Sequence, residues 1–232
     1  MLNFTESASS GFSGNSALDL DITKQDLSLD LSKTPTYLNK IYVGASWDAP
    51  IFDSQGESYD LDLIAVFLNA NGKLLGFNRA NVQTAIKGML WYHNPTAPGM
   101  RFTTGDNLTG SSAQNRMNTA TDDEEIEICL NEVPADLCKI VFWIDINEIR
   151  GTGPAMYKLS QTFGQIENAR ITVYDENKNV LARLNLNQDY VTDTAVCAGQ
   201  LERTPSGWEY NVVDAKNRHG IFDVNGIWQQ YI

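Results

Sequence analysis

Cationic residues are scarce in this chain. Against 29 Asp and Glu stand only 17 Lys and Arg, so 232 residues carry a net charge of −12. No window gathers Lys and Arg, and the one Arg-Gly pair, Arg150-Gly151, is isolated. Such a surface repels phosphate backbones and anionic membrane surfaces, which excludes nucleic acid as an expected ligand. Cysteine is sparse too. Cys129, Cys138 and Cys197 are odd in number and lack a C-x-x-C spacing, so they give neither a disulfide framework nor a zinc site and read as reduced thiols. His93 and His219 are far apart, without ligand spacing, and read as surface or packing residues.

Long apolar runs are missing as well. The longest, near Leu63–Leu68 and Ile140–Ile144, fall well short of the roughly 20 residues that a membrane-spanning helix needs. Residues 1–16, MLNFTESASSGFSGNS, lack the basic start and apolar stretch of a secretory signal, so a cytoplasmic location is expected. There is no G-x-S-x-G elbow, no phosphate-cradling G-x-x-x-x-G-K-[ST], no G-x-G-x-x-G and no H-E-x-x-H. With those signatures absent, the common nucleophile, nucleotide and zinc-protease chemistries are disfavoured. Asp60-x-Asp62 resembles the metal motif of sugar-nucleotide transferases, yet that chemistry sits on α/β sheets that the chain does not show.

What is present is a core. The chain is 42% hydrophobic, enough at this length to sustain one large domain without staples. Residues 1–16 read as a flexible lead-in and 17–232 as the folded domain. Short alternating or fully apolar segments broken by turn residues predict an all-β, mostly antiparallel β-sandwich with a few short helices. The expected strands are 18–22, 27–31, 41–47, 61–68, 126–130, 140–146, 169–174, 180–186, 195–203 and 208–213. Asn71-Gly72, residues 175–179 and Pro205-Ser206-Gly207 mark turns. A helical turn at Pro134–Leu137 and short helices at 156–163 and 220–231 are expected. Residues 77–104 and 111–121 lack sustained periodicity and read as long loops.

Acidic residues concentrate beside those loops. Tyr59-Asp60-Leu61-Asp62 opens a strand, and strand geometry puts Asp60 and Asp62 on one face, with Leu61 and Leu63 on the other. Gly105-Asp106-Asn107-Leu108-Thr109-Gly110 forms a loop, and Asp122-Asp123-Glu124-Glu125 leads into the next strand. If these segments converge, like charges about 5 Å apart repel by about 3 kcal/mol per pair at an effective dielectric of about 20. A cation would relieve that, and Ca²⁺ suits six to eight oxygen ligands in flexible geometry. A solvated acidic face is the competing reading. No EF-hand loop is present, because an apolar run follows Asp62. Trp91 and Tyr92, beside the acidic loop, are candidates for contact with a partner or a sugar. Trp47 and Trp208 read as core.

The order of motifs resembles the TerD family of tellurium-resistance and stress proteins. It runs through Val43–Asp48, Tyr59–Asp62, Gly105–Gly110 and Asp122–Glu124, then Ile140–Phe142, Phe163–Ala169, Asp193–Ala195 and Gly207–Tyr210. The resemblance spans about residues 18–215. It implies a non-catalytic calcium-binding β-sandwich holding two ions, with ligands at Asp60, Asp62, Asp106, Asn107, Asp122, Asp123 and Glu124. It also implies a role in tellurite, chemical or phage stress alongside other Ter-type proteins, some of them in peripheral membrane complexes. The chain departs from the family pattern at Leu108, where GDNRTG has Arg, in the 111–121 link, which lacks carboxylates, and in the lengthened 151–161 connection. Alternative functions are a calcium-assisted sugar or nucleotide-ligand module using Trp91 and Tyr92, or a phage or particle structural protein.

Overall fold

The computed structural model describes residues 28–30, 38–48, 58–111, 122–147, 149–151, 153–158, 160–211, 213 and 224–232. The lead-in at 1–16, the expected strand at 18–22 and most of the 111–121 link lie outside them.

The strands in chain order are β1 (Ser28–Asp30), β2 (Lys40–Ser46), β3 (Leu61–Leu68), β4 (Met89–Leu90), β5 (Thr96–Ala97), β6 (Met100–Phe102) and β7 (Glu124–Cys129), followed by β8 (Lys139–Ile146), β9 (Ile149–Arg150), β10 (Tyr157–Lys158), β11 (Arg170–Tyr174), β12 (Val180–Asn185), β13 (Ala195–Thr204) and β14 (Gly207–Asn211). One six-stranded sheet runs β1-β14-β13-β8-β3-β4, the other β12-β11-β2-β7-β6-β5, and β9 and β10 form a separate ribbon. Neighbouring strands pair antiparallel throughout. The two large sheets make an all-β sandwich.

Composition decides which strands are central. Leu61–Leu68 and Ile140–Ile146 carry apolar residues at odd and even positions alike, so both faces must be covered. Accordingly β3 is buried along its whole length and pairs with β8 in the interior of the first sheet. In the second sheet β12 instead alternates in burial along most of its length, and β2, β7 and β11 mix buried with half-buried positions. The turns act as their residues require. Pro205-Ser206 joins β13 to β14 with Thr204 and Gly207 paired across the loop, and Asp175 donates to the Asn179 carbonyl between β11 and β12.

Some segments differ from expectation. The described residues of 156–163 form no α-helix: a 3₁₀ turn, Gly153–Ala155, leads into β10, and a second, Phe163–Gln165, follows. Backbone pairing with β9 outweighs the weak helical pattern there. Pro134–Leu137 is a turn, closed by Leu137 N–H donating to the Pro134 carbonyl at 3.1 Å. The irregular 77–104 stretch contains a 3₁₀ helix, Val82–Gly88, and three strands of two or three residues, too short to carry a periodic signature. At the C-terminus a six-residue helix, Val224–Gln229, buries Ile227, and the Tyr231 hydroxyl accepts a 2.9 Å hydrogen bond from Trp143 Nε1.

Trp47, Trp143 and Phe142 are fully buried and Trp208 nearly so. Arg203 stacks on the Trp208 ring at 4.3 Å and donates to the carbonyls of Val133, Pro134 and Leu137, tying β13 to the 133–137 turn. Lysine cannot reproduce that planar fork. Arg203→Lys is therefore expected to destabilise the fold by about 1–3 kcal/mol, read as a lower urea midpoint with an unchanged m-value.

Candidate metal centre

At one end of the sandwich, carboxylates arrive from separate segments. Asp60 and Asp62 stand at the entry to β3, and Asp106 lies on the loop after β6. One carboxylate oxygen from each lies within 4.8 Å of the others, with Asp60 and Asp62 buried and Asp106 exposed. Oxygens coordinating one ion at 2.3–2.6 Å sit at such separations, so this trio can hold a hard divalent cation. Asn147, just past β8, holds Asp60 in place: its backbone N–H donates to the Asp60 carbonyl at 2.7 Å and its amide to Asp60 Oδ2 at 3.1 Å.

Glu124 approaches from the opposite sheet. At the start of β7 it is 1% exposed, and its Oε2 accepts a 2.7 Å hydrogen bond from the Leu63 N–H of β3. A carboxylate of one sheet thus satisfies a backbone donor of the other. Its second oxygen, Oε1, is buried without a well-formed hydrogen bond among the described residues, although the Asn107 N–H lies close enough to pull the Glu124 pKa down. A buried carboxylate oxygen left so is costly without a positive partner.

Asp122, Asp123 and Asn107 are engaged differently. Asp122 Oδ1 accepts from Ser46 Oγ and, at 3.1 Å, from the Tyr174 hydroxyl. Its carboxylate lies over Gly44, where a Cβ would come within 1.9 Å of Oδ2, so only glycine fits in β2 at that point. Asp123 Oδ2 accepts from the Trp47 N–H at 2.9 Å, while Oδ1 accepts from Asn107 Nδ2 at 3.0 Å and from Ser111 Oγ. Asn107 Oδ1 in turn accepts from the Thr109 and Gly110 N–H groups. Gly110 has φ 71° and presses on the Trp47 ring, which a side chain there would strike. Asp123 and Asn107 thus fasten the loop that presents Asp106, while Asp122 is held against β2 and β11.

The aromatic pair lies beside the carboxylates. Trp91, Tyr92 and His93 form a tight turn closed by Asn94, with ring centroids 4.0–5.0 Å apart. The Tyr92 phenol is pushed up to about 12, first by burial and then by the charges of Asp62, Asp106, Asp60 and Asp145. Tyr92 therefore lies within reach of the cluster's charges, and Trp91 meets its ring edge-on.

Asp145 escaped the sequence reading. It sits inside the apolar strand β8, is 4% exposed, and is the direct cross-strand partner of Asp62. A lone carboxylate within an otherwise continuous apolar strand was the available signal.

Electrostatics reflect the crowding. Burial raises Asp62 to about 10, reinforced by the negative charges of Asp145, Asp60, Glu124 and Asp106. Glu124 rises to about 8, chiefly through burial, against the pull of the Leu63 and Asn107 N–H groups. Asp106 is also raised by burial, with His93 acting in the opposite direction. Asp62, Asp106 and Glu124 form no ion pair with Lys or Arg among the described residues. The ion pairs found among the described residues lie elsewhere, as where Lys40 and Arg101 flank Glu127 at 3.0 and 2.9 Å and hold its carboxyl down to about 2.

The sign of the pH dependence follows. A carboxyl whose folded pKa is raised binds its proton more tightly in the fold, so its contribution is full below the unfolded pKa and disappears as pH rises through the folded one. In chelator, stability is expected to fall between about pH 5 and pH 8, by about 1.4 kcal/mol per pH unit for each proton retained. Urea midpoints measured stepwise across that range check this. Asp62→Asn should flatten the slope, and midpoints that rise over the same range would contradict it.

Comparison with known proteins agrees with this architecture. The TerD domain profile matches residues 22–231. The chain is 33% identical over 198 residues to the tellurium resistance protein TerD of an Alcaligenes species, spanning 84% of this chain and 90% of that one. General stress protein 16U of Bacillus subtilis (strain 168) is 31% identical over 194 residues, 83% of this chain and 89% of that one. A crystal structure of a homologue of the telluride resistance protein TerD from Streptomyces coelicolor A3(2) shares the fold at 16% identity, with a TM-score of 0.53 over 78% of this chain and 92% of that one. No helix among the described residues is long and apolar enough to cross a membrane. With the profile covering nearly the whole chain and relatives above 30% identity along most of it, the chain belongs to the TerD family.

Proposed function

We propose that this protein is a calcium-binding, non-catalytic scaffold acting in resistance to tellurite and related chemical stress, in the cytoplasm and together with other Ter-type proteins. One observation carries the calcium reading. Three carboxylates from two segments converge within 4.8 Å, while a fourth, Glu124, is buried close enough to feel the charges of Asp106 and Asp60. The donor set is all oxygen, which favours a hard cation over zinc. Bound there, calcium supplies the positive charge that lets the carboxylates remain ionised together. Asp60, Asp62, Asp106 and Glu124 would hold it. Asn107, Asp123 and Gly110 keep the Asp106 loop in place, and that ordered loop offers a surface to protein partners. The resistance role rests on relatives named for tellurium resistance and general stress.

Calcium at about 100 times its dissociation constant adds about 2.7 kcal/mol to stability. For a domain of this size that raises the melting temperature by about 5–10 °C, and Asp62→Asn should remove most of the shift. Terbium offers an optical check, because Tyr92 lies within reach of the cluster's charges: excitation of the aromatic rings should sensitise its emission in the wild type and much less in Asp62→Asn. The cellular arm is tellurite survival of a deficient host, restored by the wild-type gene and not by the Asp62→Asn gene. Absence of a thermal shift, with no calcium retained by elemental analysis, would overturn the calcium reading. Quenching of Trp91 emission by sugars or nucleotides, lost in Trp91→Ala, would favour a ligand-binding module instead.

A further inference from the structure

Positive charge is scarce in this chain, and it is also segregated. Residues 63–105 contain no Asp or Glu and neither do residues 224–232, so all 29 acidic residues lie outside these two segments. The first segment carries Lys73, Arg79, Lys87 and Arg101. Arg101 pairs with Glu127 on the second sheet. Lys73, Arg79 and Lys87 are exposed and form no ion pair among the described residues. The two acid-free segments also meet. The Leu74 N–H donates to the Tyr231 carbonyl at 2.8 Å, Lys73 Nζ donates to the Ile232 carbonyl at 2.9 Å, and the Phe77 and Trp228 rings lie 5.7 Å apart.

Together they form a cationic cover on a fixed frame. Thr84 Oγ1 accepts from the Asn78 N–H at 2.8 Å and donates to the Asn81 carbonyl at 2.7 Å, while Asn78 Oδ1 accepts from the Ala80 N–H at 2.9 Å. Gly88 ends the 3₁₀ helix against Leu74, where a Cβ would come within 2.8 Å of that side chain. Between Arg79 and Lys87 in this fastened stretch stands Val82, 55% exposed. Strand alternation shows which face the cover occupies. Lys139, Val141 and Trp143 share one face of β8, opposite to that of Phe142, whose ring lies 6.4 Å from Tyr210 in the core. Trp143 holds Tyr231, so the cover lies on the outer face of the first sheet. The same face continues onto β13 and β14, where Glu202 stands opposite Lys139 and Glu209 opposite Glu202. One face thus carries a cationic cover over β3 and β8 and an acidic pair on β13 and β14.

We infer that this outer face is an interface for a second copy of the chain, the cationic cover of each copy lying on the Glu202–Glu209 end of the other about a two-fold axis. Charge complementarity selects that occupant. The cover calls for an acidic surface, and a second copy supplies one while offering its own cations to the acidic end in return. A phosphate surface, whether of nucleic acid or lipid, would attract the cover but meet Glu202 and Glu209 on the same face with charge of their own sign. Val82 gives the contact an apolar point between the cations. The inference does not rest on the calcium reading.

Sedimentation velocity of the full-length protein tests it. At about 0.05 M salt the wild type is expected to pass from monomer to dimer as its concentration rises through the micromolar range, and about 0.5 M salt should weaken the dimer at least fivefold. Arg79→Glu combined with Lys87→Glu should weaken it at least tenfold at an unchanged melting temperature. Arg79→Gln with Lys87→Gln serves the same purpose should the charge reversal disturb folding. From the other side of the contact, Glu202→Gln should weaken the dimer at least threefold. A wild type that stays monomeric at low salt overturns the inference, as does a dimer that withstands the cation variants or Glu202→Gln. Phosphatidylglycerol vesicles and duplex DNA complete the test: binding of either by a chain that remains monomeric replaces the second copy with a phosphate surface and overturns it too. Calcium uptake is read separately, so the calcium reading stands or falls on its own.

Discussion

Buried negative charge brought together by the fold is the constraint on which the rest of this structure depends. Asp60 and Asp62 enter on β3, Glu124 on β7, Asp145 on β8 and Asp106 on a loop. Four separate segments thus meet at one end of a sandwich whose centre is packed with Trp47, Trp143 and Phe142. Such a meeting raises the carboxyl pKa values of Asp62 and Glu124 because ionisation there is opposed by burial and by like charge. Either protons or a cation must hold the cluster, and the two act in opposite directions as pH rises.

The surrounding structure serves that end of the molecule. Gly44 has no side chain because Asp122 occupies the space above it, and Asp122 is positioned by Ser46 and Tyr174 on neighbouring strands. Asp123 fastens the Asp106 loop through Asn107 and Ser111 while taking the Trp47 N–H with its other oxygen. The loop is also reached from the 151–161 connection: Gln161 donates to the Ser58 carbonyl at 3.2 Å, and Ser58 Oγ donates to the Leu108 carbonyl at 3.1 Å. Acidic residues adjacent in sequence therefore divide their work, some forming the cluster and others holding the backbone that forms it.

Much of the fold was legible because local pattern and tertiary demand coincide. The apolar run Leu61–Leu68 became a strand with the expected bounds, and Pro205-Ser206 turned the chain where a two-residue loop was needed. The lengthened 151–161 connection was harder, since a weak helical pattern gave way to pairing between β9 and β10. At the site, strand alternation placed Asp60 and Asp62 on one face, and the structure brings Asp106 to them. Two pairings lay beyond the sequence. Nothing local tells that Glu124 reaches across to the Leu63 N–H of the other sheet, or that Asp145, a lone carboxylate in an apolar strand, stands opposite Asp62. Both depend on which strands become neighbours, and that is settled only by the assembled core.

Crystallography of the protein grown in millimolar calcium tests the central claim most directly. Ion density is expected among Asp60, Asp62 and Asp106, with oxygens at about 2.3–2.6 Å and the Asp106 loop ordered around it. Density containing only water there, with the Asp106 carboxylate turned to bulk solvent at that calcium concentration, would contradict it.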